Sequence, residues 1–237
     1  MHASLVIPCY NEAKSLPMLT ERCMAAIRAD RDLEVILVDN GSTDDSQALM
    51  AQFAREPRLK IVRIEVNGGY GAGILVGLSA AQGEVLGWTH ADLQTDPLDA
   101  VTALQFFKGA SDWRRLYVKG RRRGRPLSDE VFTAGMSAFE TILLRTPLVD
   151  INAQPNLFSR SLFESWVRAP SDFSLDLFAY HSAKAAGFRV IRFPVEFRER
   201  QHGHSHWNID WRSKAKFIKR TLDYSLELKR GMRRSQH

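Results

Sequence analysis

Short apolar runs alternate with longer amphipathic stretches through the first half of the chain. The longer stretches predict helices at about residues 16–29 and 97–107, one that follows the glycine loop at 67–73 and runs to about residue 81, and another after the polar turn at 39–45. The apolar runs predict strands at residues 5–7 (stopped by Pro8), 33–38, 59–66 and 85–88. This alternation predicts a doubly wound α/β fold, with a mostly parallel sheet and helices on both faces.

The second half of the chain is less regular. Its predicted elements are a strand at 116–118, helices at 128–144 and 175–186 (the latter ended by Gly187), and a half-buried strand at 189–197. The first of these strands should run into a basic, glycine-containing loop at 119–125, which could bind phosphate or simply be solvated. After a polar loop at 202–206, the chain mixes aromatic and basic residues.

Composition narrows the class of protein. The 237 residues carry a net charge of +6 and are 44% hydrophobic, as in an ordinary globular protein. No apolar run reaches about 18 residues, and the N-terminus lacks a signal-peptide pattern, so we expect neither a spanning helix nor secretion. Cys9 and Cys23 form no disulfide framework or zinc pattern, which favours a reducing cytoplasm. The positive charge suits a nucleotide or a phospholipid surface, whereas no motif supports nucleic acid.

A polar cluster follows the predicted strand at 85–88. His90, Asp92 and Gln94 alternate, so an extended backbone would point all three to one side. A carboxylate, an imidazole and an amide oxygen could hold a divalent cation, which could in turn hold phosphates. The alternative is a strand end capped by Asp92, with a turn at 96–97. Because parallel strands end at one edge of the sheet, residues 10–12, Asp39, the glycine loop at 67–73 and Asp92 should lie close together.

Two other patterns suggest different chemistry. The glycine loop is close to a dinucleotide-binding fingerprint, but Ile74 replaces the third glycine and the loop follows the third strand rather than the first. These glycines could instead let a helix pack tightly on its strand. His202, His204 and His206 alternate as in a transition-metal site, although histidines in such a loop are more often surface groups or phosphate partners. No G-x-S-x-G elbow supports a serine hydrolase.

Taken together, the motifs resemble those of the family-2 glycosyltransferases, in particular the dolichyl-phosphate-mannose-synthase-like branch. The similar segments, in the family's order, are residues 6–12 (VIPCYNE), 38–44 (VDNGSTD), 67–77, 91–94 (ADLQ), 119–121 (KGR), 152–160 and 200–205 (RxxGxS). The resemblance implies a GT-A fold over residues 1–206, followed by a basic, aromatic helical tail at 207–237. It also implies a UDP- or GDP-linked sugar donor and a divalent cation, Mn²⁺ or Mg²⁺.

The resemblance implies roles for individual residues. Pro8, Tyr10, Glu12 and Asp39 fall where the family holds the base and ribose, and Asp92, with Gln94, where it holds the metal. The remaining donor contacts are expected from Gly71, Lys119, Arg121, Arg200 and Ser205, the last two in a loop that closes over the donor phosphates or acceptor. His90 replaces the first acid of the family's Asp-x-Asp motif. An imidazole can bind Mn²⁺, whereas Mg²⁺ prefers oxygen, so His90 could be a metal ligand or a phosphate donor.

The expected reaction is inverting transfer of the sugar to a polyprenyl phosphate or a cell-surface glycan precursor. Metal and basic groups would neutralise the departing nucleoside diphosphate, so Asp92 and Arg200 count as catalytic. A hydroxyl acceptor would need a general base, for which Asp176 is the first candidate and Asp150 and Asp172 are weaker ones. Asp176 could equally be a first-turn acid that stabilises its helix, and an anionic lipid phosphate would need little help from a base.

Alternatives to this enzyme remain at this stage. His90 allows a nucleotide-sugar-binding protein that has lost catalysis, and the glycine loop allows, more distantly, a dinucleotide-dependent oxidoreductase. The tail could lie on an anionic membrane or pack on the domain as a plain amphipathic helix. The expected location is therefore the cytoplasm, with contact at the inner face of the membrane and a role in cell-envelope polysaccharide synthesis.

Overall fold

The computed structural model describes residues 1–53, 56–200, 219 and 221–229. The strands within this part of the chain are β1 (Ala3–Cys9), β2 (Leu33–Asn40), β3 (Leu59–Ile64), β4 (Val85–Trp88), β5 (Leu116–Arg123), β6 (Asn156–Ser159) and β7 (Arg189–Glu196). The helices are α1 (Leu16–Ala29), α2 (Ser46–Phe53), α3 (Tyr70–Ala80), α4 (Leu98–Lys108), α5 (Leu127–Leu144), α6 (Arg160–Glu164), α7 (Leu175–Ala185) and α8 (221–229). No helix of the described residues combines the length and apolar character needed to cross a bilayer.

The strands form one sheet in the order β3-β2-β1-β4-β6-β5-β7. All neighbouring pairs are parallel except those of β6, which runs antiparallel to β4 and β5. Alternate residues of β1 face opposite sides: Leu5 and Ile7 pack with α1 and α4, whereas Val6 packs with α3 and α7. The predicted α/β architecture, with helices on both faces of a mostly parallel sheet, is therefore confirmed.

Strand β1 was predicted to stop before Pro8, but it continues through Pro8 to Cys9. Val6 accepts a hydrogen bond from the Thr89 N–H (3.0 Å), so Val6 and Pro8, two residues on, face the β4 side of the strand. Pairing with β4 ends at Val6 opposite Trp88. The missing N–H of Pro8 therefore falls where β4 no longer requires a donor, which is why the strand tolerates proline.

Two segments predicted as loops are strand instead. Asp39 and Asn40 are the last residues of β2, paired with Arg63 and Ile64 of β3. Residues 119–123 complete β5, because the neighbouring strand β7 pairs with β5 as far as Arg123. Polar sequence alone did not show that these strands continue, since their partners lie far along the chain.

Candidate active site

Acidic groups from separate loops meet at the carboxyl edge of the parallel strands. Glu12 lies three residues after β1, and Asp92 lies four residues after β4. The Nη2 atom of Arg200 lies 3.2 Å from Asp92 Oδ2 and 3.9 Å from Glu12 Oε1. The structure thus brings together three residues that the sequence predicted for one site, and two carboxylates converge on one cationic position.

Direct hydrogen bonds join the loop after β1 to the loop after β2. The Asn11 N–H donates to Ser42 Oγ (3.1 Å), and the Thr43 N–H donates back to Asn11 Oδ1 (2.8 Å). The Glu12 N–H donates to Ser46 Oγ at 3.0 Å. These bonds between the two loops fix the backbone that carries Glu12 before any ligand binds.

Asp39 is almost completely buried, yet its carboxylate is only half satisfied. Oδ1 accepts the Ser42 N–H at 3.0 Å, whereas Oδ2 is buried without a hydrogen bond from any described residue. The Arg63 guanidinium reaches Oδ2 only at 3.9 Å. Because a buried acceptor without a donor is costly, Oδ2 is suited to an N–H or O–H group of a ligand, such as a nucleobase or a ribose.

The segment 90–94 does not have the extended backbone assumed from its alternation. It bends repeatedly, and Leu93 has a positive φ of 58°. The Gln94 N–H donates to Asp92 Oδ1 (3.1 Å), and the Gln94 amide donates to the Arg198 carbonyl (3.3 Å). The inference that His90, Asp92 and Gln94 point to one side of a strand is therefore wrong in its premise, and the side chains have separate partners.

The His90 ring belongs to an aromatic stack that the sequence did not reveal. His90 stacks on Tyr70, with ring centroids 5.3 Å apart, and Tyr70 stacks on Phe173 at 4.5 Å and 8°. The three rings come from the end of β4, the start of α3 and the loop before α7. Tyr70 lies in the glycine loop, which was the one sign in the sequence that this position was special.

The carboxylates of Asp92 and Glu12 suit a divalent cation whose remaining ligands come from the phosphates of a bound substrate. Among the described residues, no three His, Cys, Asp or Glu side chains are grouped so as to hold a metal. Asp92 and Glu12 nevertheless offer carboxylate oxygens around the position taken by Arg200. Mg²⁺ is commonly bound by one or two carboxylates plus substrate phosphates. Asp92 Oδ2 lies closer to this position than Glu12 Oε1 does, and the metal-binding roles of Asp92, His90 and Gln94 remain predictions.

Burial raises the pKa of Glu12 above its ordinary value. The hydrogen bond from Ser15 Oγ to Glu12 Oε2 (2.9 Å) and the charge of Arg200 act in the opposite direction. Glu12 is therefore a partly desolvated acid whose charge depends on the nearby guanidinium.

Asp176 lies at the centre of a buried polar network. Its Oδ1 accepts from Trp88 Nε1 (3.0 Å), Gln154 Nε2 (2.9 Å) and Asn156 Nδ2 (3.3 Å), and Oδ2 accepts from the Tyr70 hydroxyl (3.3 Å). Burial raises the pKa of Asp176, against the lowering effects of nearby cations and donors. Both oxygens of Asp176 are thus already bonded to protein groups, and the Tyr70 hydroxyl covers Oδ2.

The family model of glycosyl transferase family 2 matches residues 4–165, more than half of the chain. The chain belongs to glycosyl transferase family 2. The family predicted from the ordered motifs is thereby confirmed.

Curated relatives match over a shorter stretch. The undecaprenyl-phosphate 4-deoxy-4-formamido-L-arabinose transferase of Pectobacterium carotovorum subsp. carotovorum (strain PC1) is 42% identical over 99 residues, which is 40% of this chain and 30% of the relative. The transferase of the same name from Photorhabdus laumondii subsp. laumondii is 41% identical over 97 residues, with the same coverage. The match spans less than a third of either relative.

Solved structures match over nearly the whole chain. Glucosyl-3-phosphoglycerate synthase from Mycobacterium tuberculosis, in complex with Mn²⁺, UDP and glucosyl-3-phosphoglycerate, gives a TM-score of 0.73 at 18% identity, covering 97% of this chain and 80% of that one. Residues 1–349 of TarS from Staphylococcus aureus give 0.55 at 19% identity, covering 81% and 58%. These likenesses confirm the GT-A fold.

In this family-2 chain, Lys119 does not lie on the predicted basic loop. It is a buried residue of β5, and its ammonium donates to the carbonyls of Asp150 (3.0 Å) and Ile151 (2.7 Å) and lies 4.8 Å from the Tyr180 ring. Burial lowers the pKa of Lys119 to about 7. The geometry gives Lys119 a structural partner set rather than an open phosphate site, whereas Arg121 is exposed and its donor role remains a prediction.

Asp150 is surrounded by three arginines, and nothing in the sequence indicated that they would meet there. Arg122 donates to its Oδ1 through Nε (2.8 Å), Arg192 lies 3.3 Å from its Oδ2, and Arg125 lies 3.9 Å from its Oδ1. Burial alone would raise the pKa of Asp150, but the charge and hydrogen bonds of Arg122 lower it. A carboxylate in these ion pairs is a poor general base.

The other predicted donor contacts have mixed outcomes. The Tyr10 ring is 43% exposed just beyond β1, where it could stack on a base, and Pro8 is half-buried beside α3. A Cβ at Gly71 would lie 2.7 Å from the Pro170 and Asp172 carbonyls, so this glycine permits close packing of the 170–172 loop. Its contact with the donor remains a prediction. Ser205 and the three histidines of the 202–206 loop lie outside the described residues.

Proposed function

We propose that this protein is an inverting glycosyltransferase that takes a sugar from a nucleoside-diphosphate donor. The observation that carries the proposal is the convergence of Asp92 and Glu12 on one cationic position at the carboxyl edge of the sheet. Open α/β sheets place ligands at this edge, and the family assignment names the transfer of a glycosyl group.

The donor base and ribose would lie against the ends of β1 and β2. The unpartnered Asp39 Oδ2 would accept a hydrogen bond from the nucleoside, and the exposed Tyr10 ring would contribute a stacking surface. A structural neighbour of this chain is titled as a complex with UDP and Mn²⁺, which supports a uridine donor and a divalent cation.

Asp92 would hold the divalent cation, with Glu12 close enough to assist. When bound, the cation would neutralise negative charge on the leaving diphosphate. Arg200, now paired with Asp92, would be released toward the phosphates and add a second positive group. The Asp92 and Arg200 roles are those expected from the family pattern.

A phosphate acceptor suits the buried state of Asp176 better than a hydroxyl acceptor does. A hydroxyl must lose a proton to a base at hydrogen-bonding distance, whereas Asp176 is covered by Tyr70 and has both of its oxygens bonded to protein groups. A lipid phosphate is already anionic. The curated relatives carry undecaprenyl-phosphate in their names, which supports a polyprenyl phosphate acceptor and action at the inner face of a membrane.

Calorimetric titration with UDP and GDP, each with Mn²⁺, Mg²⁺ or EDTA, tests the donor site. We expect one nucleotide to bind tightly only with metal, and Asp92→Asn to abolish the dependence on metal. Glu164→Gln, which changes an exposed acid of α6 at the opposite edge of the sheet, is the control and should behave as wild type. Failure of both nucleotides to bind would refute the proposal.

The stacking of His90 on Tyr70 favours a second candidate, a nucleotide-sugar-binding protein without turnover. This candidate predicts metal-dependent donor binding with no transfer. Single-turnover assays with Mn²⁺, the matching nucleotide sugar and undecaprenyl phosphate separate the two. Under the leading proposal, Asp176→Asn should retain most of the wild-type turnover with this acceptor, while a large loss would indicate a hydroxyl acceptor.

A further inference from the structure

Helix α5 has an apolar face that is exposed along its whole length. Leu127, Val131 and Ile142 are 74%, 64% and 79% exposed. The other exposed apolar positions of the helix are Phe132, Ala134, Gly135, Ala138 and Phe139. These eight residues, here called the α5 outer face, repeat at spacings of three and four and so cover one side of the helix. Scattered exposed apolar residues are ordinary, but a contiguous set marks an interaction surface.

The opposite side of α5 is already occupied by the protein. Ser137 Oγ accepts the Asp150 N–H (3.0 Å), and the Glu140 carboxylate accepts a hydrogen bond from Ser225 Oγ of α8 (2.8 Å). Tyr224 of α8 packs with the core on that side of the sheet. The α8 contact thus uses the inner side of α5 and leaves the outer face exposed.

The exposed charges around the outer face are mostly positive among the described residues. Exposed arginines precede the helix at Arg121 and Arg123, and Arg145 follows at its C-terminus. Glu130, an exposed acid near the start of the helix, lies at the border of the outer face, so three exposed arginines stand beside one exposed glutamate. An apolar surface with arginines at both ends complements an anionic bilayer, in which apolar side chains enter the interface and cations remain among headgroups.

The outer face also adjoins the candidate active site. One cavity is lined by Phe132 and Met136 of α5 together with Phe173. Phe173 stacks on Tyr70, which stacks on His90 at the end of β4. The α5 outer face therefore adjoins a cavity that ring stacking connects to His90, two residues before Asp92.

We propose that the α5 outer face docks this protein on the surface of an anionic phospholipid bilayer. The partner is the bilayer rather than a second copy of the chain. Arginines at both ends of one face would repel the same arginines of a second copy in many paired arrangements, whereas lipid phosphates would attract them. This docking does not depend on turnover, so it can hold or fail separately from the proposed function.

Vesicle flotation of the full chain tests the surface. Wild-type protein should float with vesicles of phosphatidylglycerol and phosphatidylcholine and much less with phosphatidylcholine alone. Val131→Gln combined with Ile142→Gln should weaken binding by about tenfold or more, since two apolar side chains lose their burial. Arg123→Gln combined with Arg145→Gln should weaken binding roughly thirtyfold, and on the anionic vesicles only, because two cations lose their attraction to the lipid phosphates.

Val66→Gln is the matched control, because Val66 is 78% exposed but lies after β3, outside the α5 outer face. It should bind vesicles as wild type does, and all variants should melt with wild-type cooperativity, since each replaced side chain is exposed. Equal flotation of wild type and the Val131/Ile142 variant would overturn the proposal. So would light scattering that shows a wild-type dimer and a monomeric variant, because the face would then belong to a second copy.

Discussion

Two carboxylates of this protein are buried to the same extent but have opposite environments. Asp39 and Asp176 are each 1% exposed. Asp39 has one oxygen without a hydrogen bond from the described residues, whereas Asp176 accepts from four side chains. The carboxyl edge of the sheet thus has an unfinished polar contact at Asp39, whereas the network around Asp176 is complete within the described residues. A ligand can stabilise the first arrangement but can only disturb the second.

Replacement of Asp176 should have the largest effect on stability. Asp176→Ala removes the shared acceptor of Trp88, Gln154 and Asn156, leaving buried donors that cost about 1–3 kcal/mol each. We expect a loss of about 3 kcal/mol or more in the free energy of unfolding, measured by urea denaturation. Asp176→Asn keeps one oxygen for these donors and should lose about 1 kcal/mol. Equal stability of the alanine variant and wild type would show that the network is not what holds this region.

Asp39→Asn should weaken ligand binding more than stability, which is the reverse of the effect expected at Asp176. The asparagine oxygen can still accept the Ser42 N–H, so the free energy of unfolding should change by less than about 1 kcal/mol. Nucleoside binding should weaken by about tenfold to a hundredfold, because the acceptor at Oδ2 becomes a donor. Calorimetry with the preferred nucleotide measures this. A variant that unfolds easily but binds normally would reverse the assignment of the two carboxylates.

The sequence showed this contrast only in part. Apolar runs located most of the strands, and the polar residues after them located Glu12, Asp39 and Asp92, because parallel strands end at one edge. The environment of each acid was not visible. The contact of Tyr70 with Asp176 spans 106 residues, and nothing local distinguishes a first-turn acid from the centre of a network.

The same reason explains the error at Lys119. A lysine beside glycine and arginines indicates a solvated loop, and only the pairing of β5 with β7 shows that it is a buried strand residue. Likewise, the α5 helix was predicted, but its exposed apolar side could not be recognised until the packing of the inner side was known. Periodicity locates a face, and packing decides which face is covered.

Lys119 should make stability depend on pH. Its pKa falls from 10.5 in the unfolded chain to about 7 in the fold, so the unfolded chain binds more protons between these values. The free energy of unfolding contributed by this group therefore rises with pH from about 7 to 10.5, by at most about 1.4 kcal/mol per pH unit. Lys119→Met should remove this rise in denaturation curves taken across that range. An unchanged slope would mean that Lys119 is charged in the fold.

Replacement of Arg200 should have the smallest effect on stability. It should change Mn²⁺ binding in opposite directions without and with nucleotide. It is paired with Asp92 Oδ2 at 3.2 Å, and it is partly exposed, so Arg200→Gln should cost less than about 1 kcal/mol of stability. Removal of this positive charge should tighten Mn²⁺ binding to the nucleotide-free protein severalfold, because a cation no longer opposes the metal at Asp92. In the presence of nucleotide the same variant should bind more weakly, since a group that would hold the phosphates is lost. Arg198→Gln, which removes an exposed cation paired with Glu196, is the control. Weaker Mn²⁺ binding in both conditions would show that Arg200 organises the metal site instead of occupying it.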